Sequence, residues 1–246
     1  MTEEWQPESP HLVIGLFLDR LTDADALERT CAALRGLGAE PAGGAWLGPA
    51  EPEPFEYVSE LPLMSSTWPT AEPSLRPYRI GMVTSDLGRL AVTFDRGDPA
   101  GGHPVTVLLH AGLYDIPPLA WDDDDRAEDP RFRSRVAVLF QGLCEQLDPA
   151  YGVVGWDLLP TVVPSVLAGG EESFPEDFYV SRRLGSLPGE VAKLFPRPLT
   201  FDGPTGLFVS HWLRPEEPVS PSRQAVDAAS AAVGRVLIEA GWRERR

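Results

Sequence analysis

Arg131-Phe-Arg-Ser-Arg-Val-Ala-Val-Leu-Phe-Gln-Gly-Leu-Cys-Glu-Gln-Leu-Asp-Pro-Ala-Tyr-Gly-Val-Val-Gly-Trp-Asp157 is the stretch that decides the fold. Phe132, Val136, Leu139, Phe140, Leu143, Cys144 and Leu147 recur at spacings of three and four, which sets them on one stripe of a helix. Arg131, Arg133, Arg135, Gln141 and Glu145 fall mostly on the other faces. Asp148-Pro149 stops the helix, because proline has no amide hydrogen and turns the residue before it away from helical angles. Tyr151-Gly-Val-Val-Gly-Trp156 follows as an apolar strand. A helix this apolar on one face needs a sheet to lie on, so the domain is layered.

Outward from that unit, His11 to Leu18 is a continuous apolar run with β-branched residues, read as a buried strand. Thr22-Asp-Ala-Asp25 offers a hydroxyl cap, and Leu27, Cys31, Leu34 and Leu37 mark the buried face of a helix over 23–37 that Gly36 and Gly38 end. Tyr78 to Thr84, Leu90 to Phe94 and Val105 to His110 read as strands, the last two as a hairpin around 95–104. Phe178 to Val180 is a short strand, and Leu199 to Trp212 a hairpin around Asp202-Gly203. Ser220-Pro221 caps a last helix over 222–240, with Val226, Ala229, Val233, Val236 and Leu237 on its apolar stripe. Two segments resist a period. Ala39 to Pro77 is rich in Pro, Gly and Glu and reads as a long irregular excursion, while Pro160 and Pro164 turn the apolar run 158–170 into a buried bend.

The expected fold is therefore α+β, a mainly antiparallel twisted sheet of about eight strands with the helices at 23–37, 131–147 and 222–240 packed largely on one face. Residues 1–246 form one domain, with room for two lobes at 1–100 and 101–246. No run of about 18 apolar residues is present to span a bilayer. The acidic N-terminus lacks the layout of a secretion signal, so a cytoplasmic protein is expected. The two cysteines, Cys31 and Cys144, sit on apolar helix stripes as core thiols and offer neither a disulfide framework nor a zinc site.

Charge carries more functional information. With 37 acidic and 21 basic side chains the net charge is −16. That sign opposes nucleic-acid phosphate and favours a basic protein partner. Trp121-Asp-Asp-Asp-Asp125, continued by Glu128 and Asp129, is the densest part. Such a run can present an anionic patch to a basic surface, hold a hard cation, or simply be a solvated loop before a helix N-terminus, where negative charge is favourable. Counted from Asp122, the sixth and twelfth positions of a calcium loop are Ala127 and Arg133, so that motif is absent and no metal is expected.

The histidines are His11, His103, His110 and His211, none at the short spacing of a zinc helix. His110 ends a strand five residues before Asp115, and His211 follows Ser210 at another strand end. His110 with Asp115, or with His211 if their strands are neighbours, could move a proton; satisfied strand-end histidines are the ordinary alternative. Gly185-Ser-Leu-Pro-Gly189 misses the nucleophile-elbow pattern by one position, and no glycine-rich phosphate loop opens a helix. Nothing calls for a cofactor.

The order of these parts, with Tyr151-Gly152-Val153, Asp177-Phe-Tyr-Val-Ser181 and Gly206-Leu-Phe-Val209 before a final helix, resembles the cytoplasmic α+β immunity proteins of bacterial polymorphic toxin systems over roughly the last 120 residues. The resemblance implies a non-enzymatic protein that covers the active site of a cognate toxin, acidic residues meeting a basic surface. The segment 39–77 departs from that pattern. On this reading Trp121, Asp122, Asp123, Asp124, Asp125, Glu128 and Asp129 contact the partner. An alternative is a small-molecule enzyme of specialised metabolism using His110, Asp115 and His211 in a pocket lined by Trp121, Trp156 and Trp212. A third is a non-catalytic subunit of an enzyme complex.

Overall fold

The computed structural model describes residues 11–21, 23–49, 56–58, 75–94, 105–110, 130–156, 164–211 and 219–241. Its strands are β1 (His11–Phe17), β2 (Glu40–Pro49), β3 (Glu56–Val58), β4 (Leu75–Thr84), β5 (Gly88–Phe94), β6 (Val105–His110), β7 (Tyr151–Trp156), β8 (Asp177–Ser181), β9 (Thr200–Asp202) and β10 (Gly206–Val209). They form one sheet in the order β3-β2-β4-β5-β6-β1-β7-β8-β10-β9, with antiparallel neighbours throughout. The helices are α1 (Asp23–Gly36), α2 (Pro130–Leu147), α3 (Pro164–Gly169), α4 (Leu187–Ala192) and α5 (Arg223–Glu239). The α+β class expected from the sequence holds.

β1 is the hub because its residues are apolar on both sides of the pleat. Leu12, Ile14 and Leu16 enter one core with Val105, Val107 and Leu109 of β6, whereas Phe17 joins a second core on the opposite face. Each core has its own helical layer. α1 and α2 cover the first, through Ala26, Leu27, Leu34, Phe132, Val136, Phe140, Leu143 and Cys144. α3, α4 and α5 cover the second, through Leu167, Leu187, Val191, Val226, Ala229, Val233 and Leu237. Gly152 lets α2 settle on β7, since a Cβ there would lie 2.9 Å from the Phe140 ring and 3.2 Å from Cys144 Sγ. The stripe read at 131–147 is thus the buried face, with Leu147 partly buried at its end.

Three expectations change. Only two of the three long helices share a face. α5 lies on the other, because Tyr151, Val153, Phe178, Val180, Leu207 and Val209 alternate onto an apolar second side that needs its own cover. Within 39–77, the strand β2 pairs with β4 through register shifts at Pro41/Ala45 and Trp46/Leu47, irregularities that erase the alternation a strand would show in sequence. The cap of α5 is Ser222, whose Oγ accepts from the Ala225 amide, rather than Ser220. β6 pairs with both β5 and β1, so the sheet is continuous across residue 100.

Candidate functional site

Strand direction brings several polar residues to one end of the sheet. β1 starts there, β6 and β7 finish there, β8 starts there and β10 finishes there. His11 is the register partner of His110, and Leu12 that of Trp156. Two strands away Asp177 opens β8, paired with Val154, and the chain leaving β10 returns His211 to it. His211 Nδ1 stands 2.7 Å from Asp177 Oδ2, with the imidazole 24% exposed and the carboxylate 5%. A carboxylate this enclosed is costly unless paired, and the imidazole supplies the pairing while keeping an accessible edge. Chemically this is an oriented imidazole, the arrangement an acid–base group requires.

A groove of about 370 Å³ opens between the end of α1, the β4–β5 turn and the first turns of α2. Leu37, Leu87 and Leu139 give it an apolar floor, and Arg135 Nη1 donates to the Asp86 carbonyl at 3.0 Å across its rim. Val138, 62% exposed, is its most open apolar side chain.

The opposite end of the sheet holds a structural network. Arg183 clasps Asp19 through both terminal nitrogens, with Nη1 to Oδ2 at 3.1 Å, and its Nε lies 3.8 Å from Asp148 Oδ2. Asp148 ends α2 in the left-handed region (φ +44°), and its Oδ1 accepts from Ser181 Oγ at 2.5 Å and Tyr179 OH at 3.3 Å. Burial pushes the Tyr179 phenol well above its ordinary range. These groups are occupied in tying β1, α2 and β8 together.

The expected residues distribute as follows. His110 closes β6 and His211 follows β10, and the three strands β1, β7 and β8 separate them, so their backbones stand about 19 Å apart at the usual strand spacing. They are not a proton-transfer pair. Trp156 ends β7, while Asp115, Trp121, Trp212 and the run Asp122, Asp123, Asp124, Asp125, Glu128 and Asp129 lie outside the described residues. Asp177, the actual partner of His211, went unread in the sequence. No local spacing joins the two, and only the pairing of β8 with β10 does. Among the described residues no group of three or more His, Cys, Asp or Glu gathers as metal ligands do, and no helix is long and apolar enough to cross a membrane.

Charge divides unevenly along the chain. Of its 37 acidic and 21 basic side chains, the described residues carry 17 and 15, a net of −2, leaving 20 and 6, a net of −14, to the rest. Residues 1–10, 111–129, 157–163 and 212–218 adjoin His11, His110, Trp156 and His211, all at the end of the sheet described first. Those four segments hold 13 acidic and 2 basic residues.

No family model matches the chain. No curated protein matches it in sequence. Among solved structures, the Pseudomonas aeruginosa T6SS protein PA0821 is similar over 96% of this chain and 73% of its own, with 12% identity and a TM-score of 0.37. A likeness of that strength carries no functional argument.

Proposed function

We propose that this chain is a non-catalytic binding protein that engages a basic protein surface at the sheet end where His11, His110, Trp156 and His211 stand. The supporting observation is the charge division, in which a nearly neutral framework has its acidic segments entering and leaving at one place. Trp121, Asp122, Asp123, Asp124, Asp125, Glu128 and Asp129 are the contact residues, the tryptophan as an anchor and the carboxylates as the steering charge. An immunity-type inhibitor covering a basic toxin is the specific form of this reading, and a subunit of an enzyme complex would use the same surface. The test starts from a partner captured from the native host and then purified. Its association rate with this chain should fall as ionic strength rises, and should fall again when Asp122, Asp123, Asp124 and Asp125 are all changed to Asn. A rate indifferent to both changes removes the acidic surface as the basis of binding.

His211 beside the buried Asp177 carboxylate favours a second reading, a small-molecule enzyme with His211 as its acid–base group. A metabolite that raises the melting temperature of the wild-type chain but not of His211→Gln supports it. A metabolite library with no such member counts against it.

A further inference from the structure

We infer that the groove between α1, the β4–β5 turn and α2 is a binding site for a small apolar monocarboxylate, with Arg135 as the counter-charge and Leu37, Leu87, Leu139 and Val138 against its hydrocarbon. At about 370 Å³ the groove falls within the range of small-ligand pockets, about 300–1,000 Å³. Its walls are held in place. The Leu87 amide donates to Thr84 Oγ1 at 2.9 Å and Ser85 Oγ donates to Asp86 Oδ1 at 3.1 Å, which fixes the turn. Leu37 presses onto α2 at Gly142, where a Cβ would lie 2.7 Å from Leu37 Cδ2. Arg135, Val138 and Leu139 come from α2 at spacings of three and four, so they form one wall.

Two features point to the occupant. Leu87 and Leu139 are 5% and 6% exposed, whereas Val138 is left 62% exposed, the highest value among the large apolar side chains described. An apolar ligand in the groove would take that surface out of water. The second feature is charge. Arg135 is exposed, and the bond from its Nη1 to the Asp86 carbonyl at 3.0 Å holds the guanidinium at the rim. The Nε and Nη2 donors remain for a carboxylate, which a guanidinium grips through two parallel bonds. α2 carries no acidic residue before Glu145 to compete for them. Asp86 on the facing wall adds one negative charge, which disfavours a dianion or polyphosphate and leaves a monoanion as the fitting class.

The inference stands apart from partner binding and is tested on the full chain with octanoate and 1-octanol, which differ in charge and little in shape. In amide-resolved NMR spectra at neutral pH, octanoate should shift residues 84–87 and 134–139 saturably. 1-Octanol should bind there roughly ten- to hundredfold more weakly, the worth of a hydrogen-bonded charge pair. Arg135→Gln should erase that preference and keep octanol binding, while Val138→Asp should weaken both probes. Both positions are exposed, so neither change touches a core. Shifts that do not saturate, equal affinity for the two probes, a preference that survives Arg135→Gln, or shifts centred on other residues overturn the site. If octanoate leaves the groove untouched while a basic partner or rising chain concentration shifts the same amides, the occupant is a protein side chain or a second copy, and the ligand is overturned as well.

Discussion

Ser230 shows how much one hydroxyl carries in the second core. Its Oγ donates to the Val226 carbonyl at 2.7 Å and accepts from the Phe174 amide at 2.8 Å, with both Ser230 and Phe174 buried. Ser230→Ala strands that amide, and the loss should be about 1–3 kcal/mol in a denaturant titration. A change below a few tenths would mean that the Phe174 amide finds another acceptor. The cysteines give a pH-dependent counterpart. Burial first, and Glu28 second, push the Cys31 thiol up from 9.0 to about 12, and burial holds the fully enclosed Cys144 well above its ordinary value. A raised thiol pKa means that the folded chain keeps protons the unfolded chain releases, so stability is full below pH 9 and falls as pH rises toward 12. The fall attributable to Cys144 should be on the order of 1 kcal/mol per pH unit, and Cys144→Ala should flatten it in a series of denaturation midpoints. Cys144 was legible as a core residue from its helical stripe, whereas Cys31, read the same way, is only half-buried against that core. Asp177 was not legible, because a short strand beginning in an acidic residue looks like a loop until its partner strand is known.

At the scale of elements, α2 and β1 could be read from the sequence because eighteen residues of one period and seven of unbroken apolar character leave little choice. α4 has six residues with proline at its start, too short for a period, and β2 loses its alternation to glycine, proline and shifted register. The layer assignment of α5 depended on knowing that β7, β8 and β10 are apolar on both faces. The contact that fixes α5 is equally unreadable in advance. Gly234 lies against α3 so closely that a Cβ would sit 2.5 Å from the Ala168 amide nitrogen and 2.6 Å from the Pro164 carbonyl oxygen. Those are backbone atoms, so the helices themselves must part. Gly234→Ala should gain helix propensity and still lose about 1–3 kcal/mol, with hydrogen exchange rising in α3 and α5 before it rises in α2. Equal acceleration in all three helices would show that the two layers open together.

At the scale of the molecule, the uneven charge makes a prediction that separates folding from binding. A chain at −16 would ordinarily repel itself in the compact state and gain stability when salt screens that repulsion. Here the described framework is close to neutral, at 17 acidic against 15 basic residues, and several of these charges are already paired, as in Arg183 with Asp19 and Arg223 with Asp227. Of the remaining −14, the four segments that follow or precede His11, His110, Trp156 and His211 in the chain carry −11. The denaturation midpoint should therefore move little between low and high salt, and changing Asp122, Asp123, Asp124 and Asp125 to Asn should leave it nearly unchanged. Association with a basic partner should respond strongly to both. If salt instead stabilises the fold by several kcal/mol, the acidic segments bear on the framework itself, and their charge must be explained by folding rather than by a partner.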